Sequence, residues 1–144
     1  TSLAKIDNKN RQQIVEELSM PLTDKRIVVA EDDPDQMEYL TTILEDHGAK
    51  VFRAHNGNEA LRLAHEVDPD VVTLDIQMPG IDVIEVIRQF SEDVNLIDIC
   101  LCIISGRPEL RQFLIDKFTG RCRAYVDKPY TPDEVVETLT RLWC

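Results

Sequence analysis

The sequence predicts an α/β fold, a doubly wound five-stranded parallel sheet in a three-layer sandwich, and three observations carry that prediction. From Arg26 onward, short β-branched runs alternate with longer stretches whose apolar residues recur three or four apart. Five such strand and helix units follow one another without an internal repeat or a low-complexity tract. The first, third and fourth runs are nearly continuous apolar segments, as central strands buried on both faces must be. Short, right-handed crossovers then give the strand order 2-1-3-4-5 with five helices.

In chain order, the first strand is expected over Arg26–Ala30 and the first helix over Asp35–His47, where Met37, Leu40, Ile43 and Leu44 keep helical spacing. Lys50–Ala54 and Gly57–Val67 form the second unit, Val71–Leu74 and Val83–Ser91 the third. Ile99–Ile104 and Glu109–Phe118 form the fourth. Ala124–Val126 and Pro132–Leu142 close the pattern, with Val135, Val136, Leu139 and Leu142 on the buried face of the last helix and Trp143 packing its end. Residues 1–24 lie outside the repeat, so the chain divides into an N-terminal extension and one domain over 25–144. Ile6, Ile14, Val15 and Leu18 mark an amphipathic helix before the break at Pro21, which leaves a linker, a partner surface and an added helix all open.

With 144 residues, 43% hydrophobic and 30% charged, the chain is long enough to bury a core without staples and has the composition of an ordinary globular protein. Sixteen basic against twenty-seven acidic side chains give a net charge of −11, which repels nucleic-acid phosphates and anionic lipid. Nucleic-acid binding by this chain is therefore not expected. Neither is a membrane association, because no apolar run approaches the roughly 18 residues that span a bilayer. A cytoplasmic location is the expectation. Cys100, Cys102, Cys122 and Cys144 match no common tetrahedral metal spacing, so reduced, mostly buried thiols are expected, with Cys100 and Cys102 on one face of a strand.

In an open parallel sheet, ligands bind beyond the carboxyl ends of the strands. Here those ends carry Glu31, Asp32 and Asp33 after the first strand and Asp75 after the third. Ser105 and Gly106 follow the fourth, and Lys128 and Pro129 the fifth. Carboxylates gathered in this way need protonation, a lysine or a divalent cation to offset their repulsion. An oxygen-rich acidic pocket suits Mg²⁺, with Glu31, Asp32 and Asp75 as ligands. One carboxylate oxygen of Asp75 then has the role of a nucleophile toward a phosphoryl group, Lys128 holds a phosphoryl oxygen, and Ser105 donates to another. Gly106 leaves room for the group to approach.

The segments RIVVAEDDP, VVTLDIQMPGID, CIISG and AYVDKPY resemble, in order and spacing, the four signature segments of bacterial response-regulator receiver domains, over about residues 25–143. The resemblance implies phosphoacceptor Asp75, metal-site acids Glu31 and Asp32, switch hydroxyl Ser105, lysine Lys128 and a cis bond before Pro129. It also implies a metal contact from the backbone carbonyl of Gln77, and Tyr125 as the aromatic that moves with Ser105. A histidine kinase or phosphotransfer protein as donor is implied, as is a downstream protein or fused output domain contacted through the fourth strand, fourth helix and fifth strand. A homodimer stays open.

Two departures stand out. The acidic pair most often reads Asp-Asp, whereas alignment on Pro34 puts Glu31 and Asp32 there; a register one residue later makes it Asp32 and Asp33. Val83 occupies a position where glycine is usual. The bland readings are that Asp33 or Asp35 only caps a helix, that Lys128 is a solvated surface residue and that Tyr125 is a core aromatic. His47, His55 and His65 have no mutual ligand spacing and are expected at the surface. The chain is not expected to be an enzyme beyond its own phosphorylation and dephosphorylation. A Mg²⁺-dependent aspartyl phosphatase would usually carry a second acid where Gln77 stands, and a flavin module would need a Ser/Thr/Gly-rich phosphate loop after the first strand. A pseudo-receiver that only binds partners is the remaining alternative.

Overall fold

In a computed structural model of the chain, which describes residues 20–77, 83–117 and 122–143, five parallel strands form one sheet. They are β1 (Arg26–Ala30), β2 (Lys50–Ala54), β3 (Val71–Asp75), β4 (Cys100–Ser105) and β5 (Arg123–Asp127), in the order β2-β1-β3-β4-β5. Helices α1 (Pro34–Asp46), α2 (Gly57–Val67), α3 (Val83–Glu92), α4 (Pro108–Lys117) and α5 (Pro132–Thr140) alternate with them. The expected order and element count are what is found.

Local chemistry sets the helix starts. Asp33 caps α1, its Oδ1 accepting from the amides of Asp35 at 2.8 Å and Gln36 at 3.1 Å, and Pro34 supplies the first helical position, where a missing N–H costs nothing. Asn56 caps α2 through the Glu59 amide, and Glu59 reaches back to the His55 amide. Thr131 caps α5 ahead of Pro132. The last helix stops at Thr140, short of the expected Leu142, and tightens into a 3-10 turn over Arg141–Trp143.

Alternation along the strands divides the core in two. Ile27, Val29, Val71, Cys102 and Ile104 face α1 and α5, while Val28, Ala30, Val72, Leu74 and Ile103 face α2, α3 and α4. Both β3 and β4 are buried throughout, as their apolar runs require, whereas edge strand β2 is only half-buried. Leu22, fully buried in the α1 and α5 layer, docks the entering chain with its amide on the His47 carbonyl at 2.9 Å. Gly48 beside it has φ +98, and a Cβ there would lie 2.9 Å from the Thr23 Cα, so the turn admits only glycine without strain. The amphipathic pattern of Ile6, Ile14, Val15 and Leu18 lies outside the described residues. Among the described residues, no helix is long and apolar enough to cross a membrane.

The cysteine expectation needs correction. Cys100 and Cys122 form a disulfide, with Cα atoms 4.6 Å apart. They stand one residue before the paired Leu101 and Arg123, at the amino ends of neighbouring strands, and strand pairing is what brings them together. Spacing along the chain carries no trace of it. Cys102 stays a thiol, buried, with its pKa pushed up to about 12 by that burial; Cys144 lies outside the described residues. Because the bridge spans 22 residues, its reduction is expected to lower the unfolding free energy by about 3 kcal/mol through regained chain entropy. Urea titrations with and without dithiothreitol check this, and coincident midpoints would contradict it.

Candidate functional site: an acidic pocket closed by a lysine

Three strand ends meet in one pocket. Asp75, the last residue of β3, is 3% exposed; its Oδ1 accepts from the Gln77 amide at 2.8 Å and its Oδ2 from Lys128 Nζ at 2.5 Å. Glu31, directly after β1, is 5% exposed and hydrogen-bonds to the Asp75 carboxylate. The Glu31 backbone is fixed by donation to the Ala54 carbonyl, and its Oε1 accepts from the Asp33 amide at 3.1 Å. Lys128 enters from beyond β5, where its amide donates to the Ser105 carbonyl at 2.8 Å and the bond to Pro129 is cis.

Two carboxylates this close cannot both ionise cheaply. Burial, reinforced by the hydrogen bond and charge of Asp75, pushes the Glu31 carboxyl up to about 8. Burial acts on Asp75 in the same sense, but the hydrogen bonds from Glu31, Lys128 and the Gln77 amide outweigh it and hold Asp75 below the ordinary carboxylate range. The resting pair is thus one neutral acid donating to one carboxylate, which the lysine also neutralises. Tyr130, stacked obliquely on Tyr39 with ring centroids 5.8 Å apart, is pushed up to about 12 by burial and by these acids.

The other residues singled out from the sequence divide. Asp32 is exposed, and among the described residues no three acids, histidines or cysteines are gathered as a metal set. Asp33 is spent on the α1 cap. Ser105 is buried, but its hydroxyl is engaged by its own loop, accepting from the Arg107 amide at 2.9 Å and donating to the Arg107 carbonyl at 3.2 Å. The Gln77 side chain spans the site mouth to accept from the Gly106 amide at 3.4 Å. A Cβ on Gly106 would meet that same oxygen at 3.4 Å, an ordinary contact, so steric room is not what glycine supplies there in this state. Tyr125 is half-buried against the α2, α3 and α4 layer.

Sequence reasoning missed Gln36, whose Oε1 accepts from Lys128 Nζ at 2.6 Å. The two are 92 residues apart, and no local pattern connects them. Of the histidines, His55 and His65 lie at the surface, His65 beside Asp93 at 3.2 Å, whereas His47 is half-buried at the end of α1.

The strand ends of this doubly wound sheet thus bring a neutral acid, a carboxylate and a lysine together. The chain belongs to the response regulator receiver domain family, whose model matches residues 27–140. It is 33% identical over 114 residues to the protein PilH of Pseudomonas aeruginosa, covering 79% of this chain and 93% of that one. In fold it resembles the chemotaxis protein CheY4 of Vibrio cholerae, with a TM-score of 0.74 at 21% identity over 83% of this chain and 99% of that one. The receiver domain of the sensor histidine kinase PA1611 from Pseudomonas aeruginosa, described with a magnesium ion coordinated in its active-site cleft, gives a TM-score of 0.73 at 20% identity. It covers 83% of this chain and 98% of that one. The chain is accordingly a receiver domain of the two-component signalling class.

Proposed function

We propose that this receiver domain takes a phosphoryl group onto Asp75 from a histidine kinase or phosphotransfer protein and signals through changed protein contacts. The observation that carries the proposal is the Glu31, Asp75 and Lys128 triad, in which a buried carboxylate is kept ionised beside a proton and an ammonium. The buried acid pair fits Mg²⁺. The Glu31 proton stands where a second positive charge is needed, and one or two carboxylates with retained water is the coordination that this ion prefers. Glu31, Asp75, the rim residue Asp32 and the Gln77 backbone carbonyl are the proposed ligands. When bound, the ion would neutralise the pocket and the equatorial phosphoryl oxygens.

The chain's own residues do the rest. A carboxylate oxygen of Asp75 bonds to phosphorus as the P–N bond of a phosphohistidine breaks, and the electron pair returns to the imidazole nitrogen. Lys128, already 2.5 Å from that carboxylate, neutralises charge on a phosphoryl oxygen. The product adds roughly −1.5 to −2 charges and three acceptor oxygens. These draw the Ser105 hydroxyl away from the Arg107 backbone, and Tyr125 follows into the space released, biasing a pre-existing active state. Exposed Phe113 and Ile115 on α4 supply apolar contact area for a partner.

Gln77, spanning the mouth toward Gly106, screens the site from water. Gln77→Ala is expected to shorten the phosphoryl half-life several-fold, while Arg107, paired with Glu109 at the surface, matters less. Dephosphorylation followed by intact mass checks this, and unchanged rates in both variants would remove water access as the control.

Intact mass after incubation with Mg²⁺ and acetyl phosphate tests the proposal itself. A gain of one phosphoryl group supports it. No gain from acetyl phosphate or from phosphohistidine donors, with Mg²⁺ shown to bind, would overturn it in favour of a partner-binding pseudo-receiver.

A further inference from the structure

We infer that Gln36 is a positioning residue for Lys128, holding its ammonium where a phosphoryl oxygen must meet it. The inference rests on Asp75 being the phosphoacceptor. A lysine is a compact charge on a flexible four-carbon stem with three rotatable donors, so one contact does not fix its direction. Here two contacts do, with Nζ 2.5 Å from Asp75 Oδ2 and 2.6 Å from Gln36 Oε1. Beside it lies an open cleft of about 490 Å³ lined by Gln36, Tyr39, Lys128, Pro129 and Tyr130, into which the half-buried side chain would otherwise swing.

The acceptor is suited to the task. A carbonyl oxygen draws one of the three donors without adding negative charge to a pocket that already holds Glu31 and Asp75. The backbone that carries it is held, because the Gln36 backbone N–H donates to the Asp33 cap at 3.1 Å, and the Asp33 backbone N–H donates to Glu31 Oε1 at 3.1 Å. The third acid of the Glu-Asp-Asp run therefore sets both the Glu31 carboxyl and, through the first turn of α1, the lysine.

The test is Gln36→Met, an exposed change to a good helix former of similar length, with Gln36→Glu as the variant that keeps the acceptor oxygen. Phosphorylation of Asp75 by acetyl phosphate at saturating Mg²⁺ is expected to slow about tenfold in Gln36→Met, the scale of a misplaced positioning group. Mg²⁺ affinity and the unfolding midpoint should stay at the wild-type values. Gln36→Glu, which keeps the acceptor oxygen but adds the charge that Gln avoids, should recover part of the rate, and the slowly exchanging ¹⁵N ammonium signal of Lys128 should vanish in Gln36→Met and return in Gln36→Glu. A Gln36→Met rate equal to wild type, or a Gln36→Glu rate as slow as Gln36→Met, would overturn the inference. Wild-type protein that takes no phosphoryl group would instead overturn the phosphoacceptor reading, and this inference with it.

Discussion

Asp75→Asn takes up no phosphoryl group from acetyl phosphate or from a phosphohistidine donor under conditions that load the wild type fully. The Asn carboxamide carries no charge, its nitrogen lone pair is delocalised into the carbonyl, and its oxygen is a far weaker nucleophile than a carboxylate. No neighbour replaces the lost carboxylate: Glu31 is a separate buried acid beside position 75, Asp32 is exposed, and Asp33 is occupied by the α1 cap. The expected loss is complete within detection. Mg²⁺ affinity should fall as well, by tenfold or more, since a buried carboxylate leaves the pocket. Intact mass and calorimetric titration measure the two effects. A phosphorylated Asp75→Asn protein would move the acceptor to another acid.

Mg²⁺ affinity should rise steeply with pH across the neutral range. Glu31 must give up its proton before both carboxylates can face a cation, and burial beside Asp75 pushes its titration up to about 8. Below that value the apparent affinity falls roughly tenfold per pH unit, because one proton is displaced for each ion bound. Titrations near pH 6 and pH 8, in buffers of different ionisation enthalpy, would show about one proton released at the lower pH. A flat profile with no proton release would show that Glu31 is already ionised. The same shift acts on the metal-free fold. The Glu31 carboxyl titrates higher when folded than in the unfolded chain, so the stability present at pH values below the ordinary glutamate range is lost as pH climbs toward 8. Added Mg²⁺ should restore it.

Much of this was legible in the sequence because it is local. The apolar runs of β3 and β4, the helical spacing of Met37, Leu40, Ile43 and Leu44, and the acids placed just past a strand each announce themselves within a few residues. Given parallel pairing, the convergence of Glu31, Asp75 and Lys128 follows from strand order. What was hidden depends on contacts between distant segments. Cys100 meets Cys122 only through the β4 and β5 register, and Gln36, in the first turn of α1, meets Lys128, just beyond β5, only once the chain has folded. The register of the acidic pair, Glu31 with Asp32 or Asp32 with Asp33, was hidden too, because a carboxylate after a strand reads alike whether it faces a pocket or caps a helix; in the structure Asp33 accepts from the amides of Asp35 and Gln36.

The disulfide lies at the amino ends of β4 and β5, while Ser105 and Lys128 stand at or just beyond their carboxyl ends. The two strands are thus tied at both ends, covalently by the disulfide at one and by the Lys128 amide on the Ser105 carbonyl at the other. With the disulfide in place one strand cannot slide past the other, so the register that sets Ser105 beside Lys128 is fixed covalently at the far end of the pair.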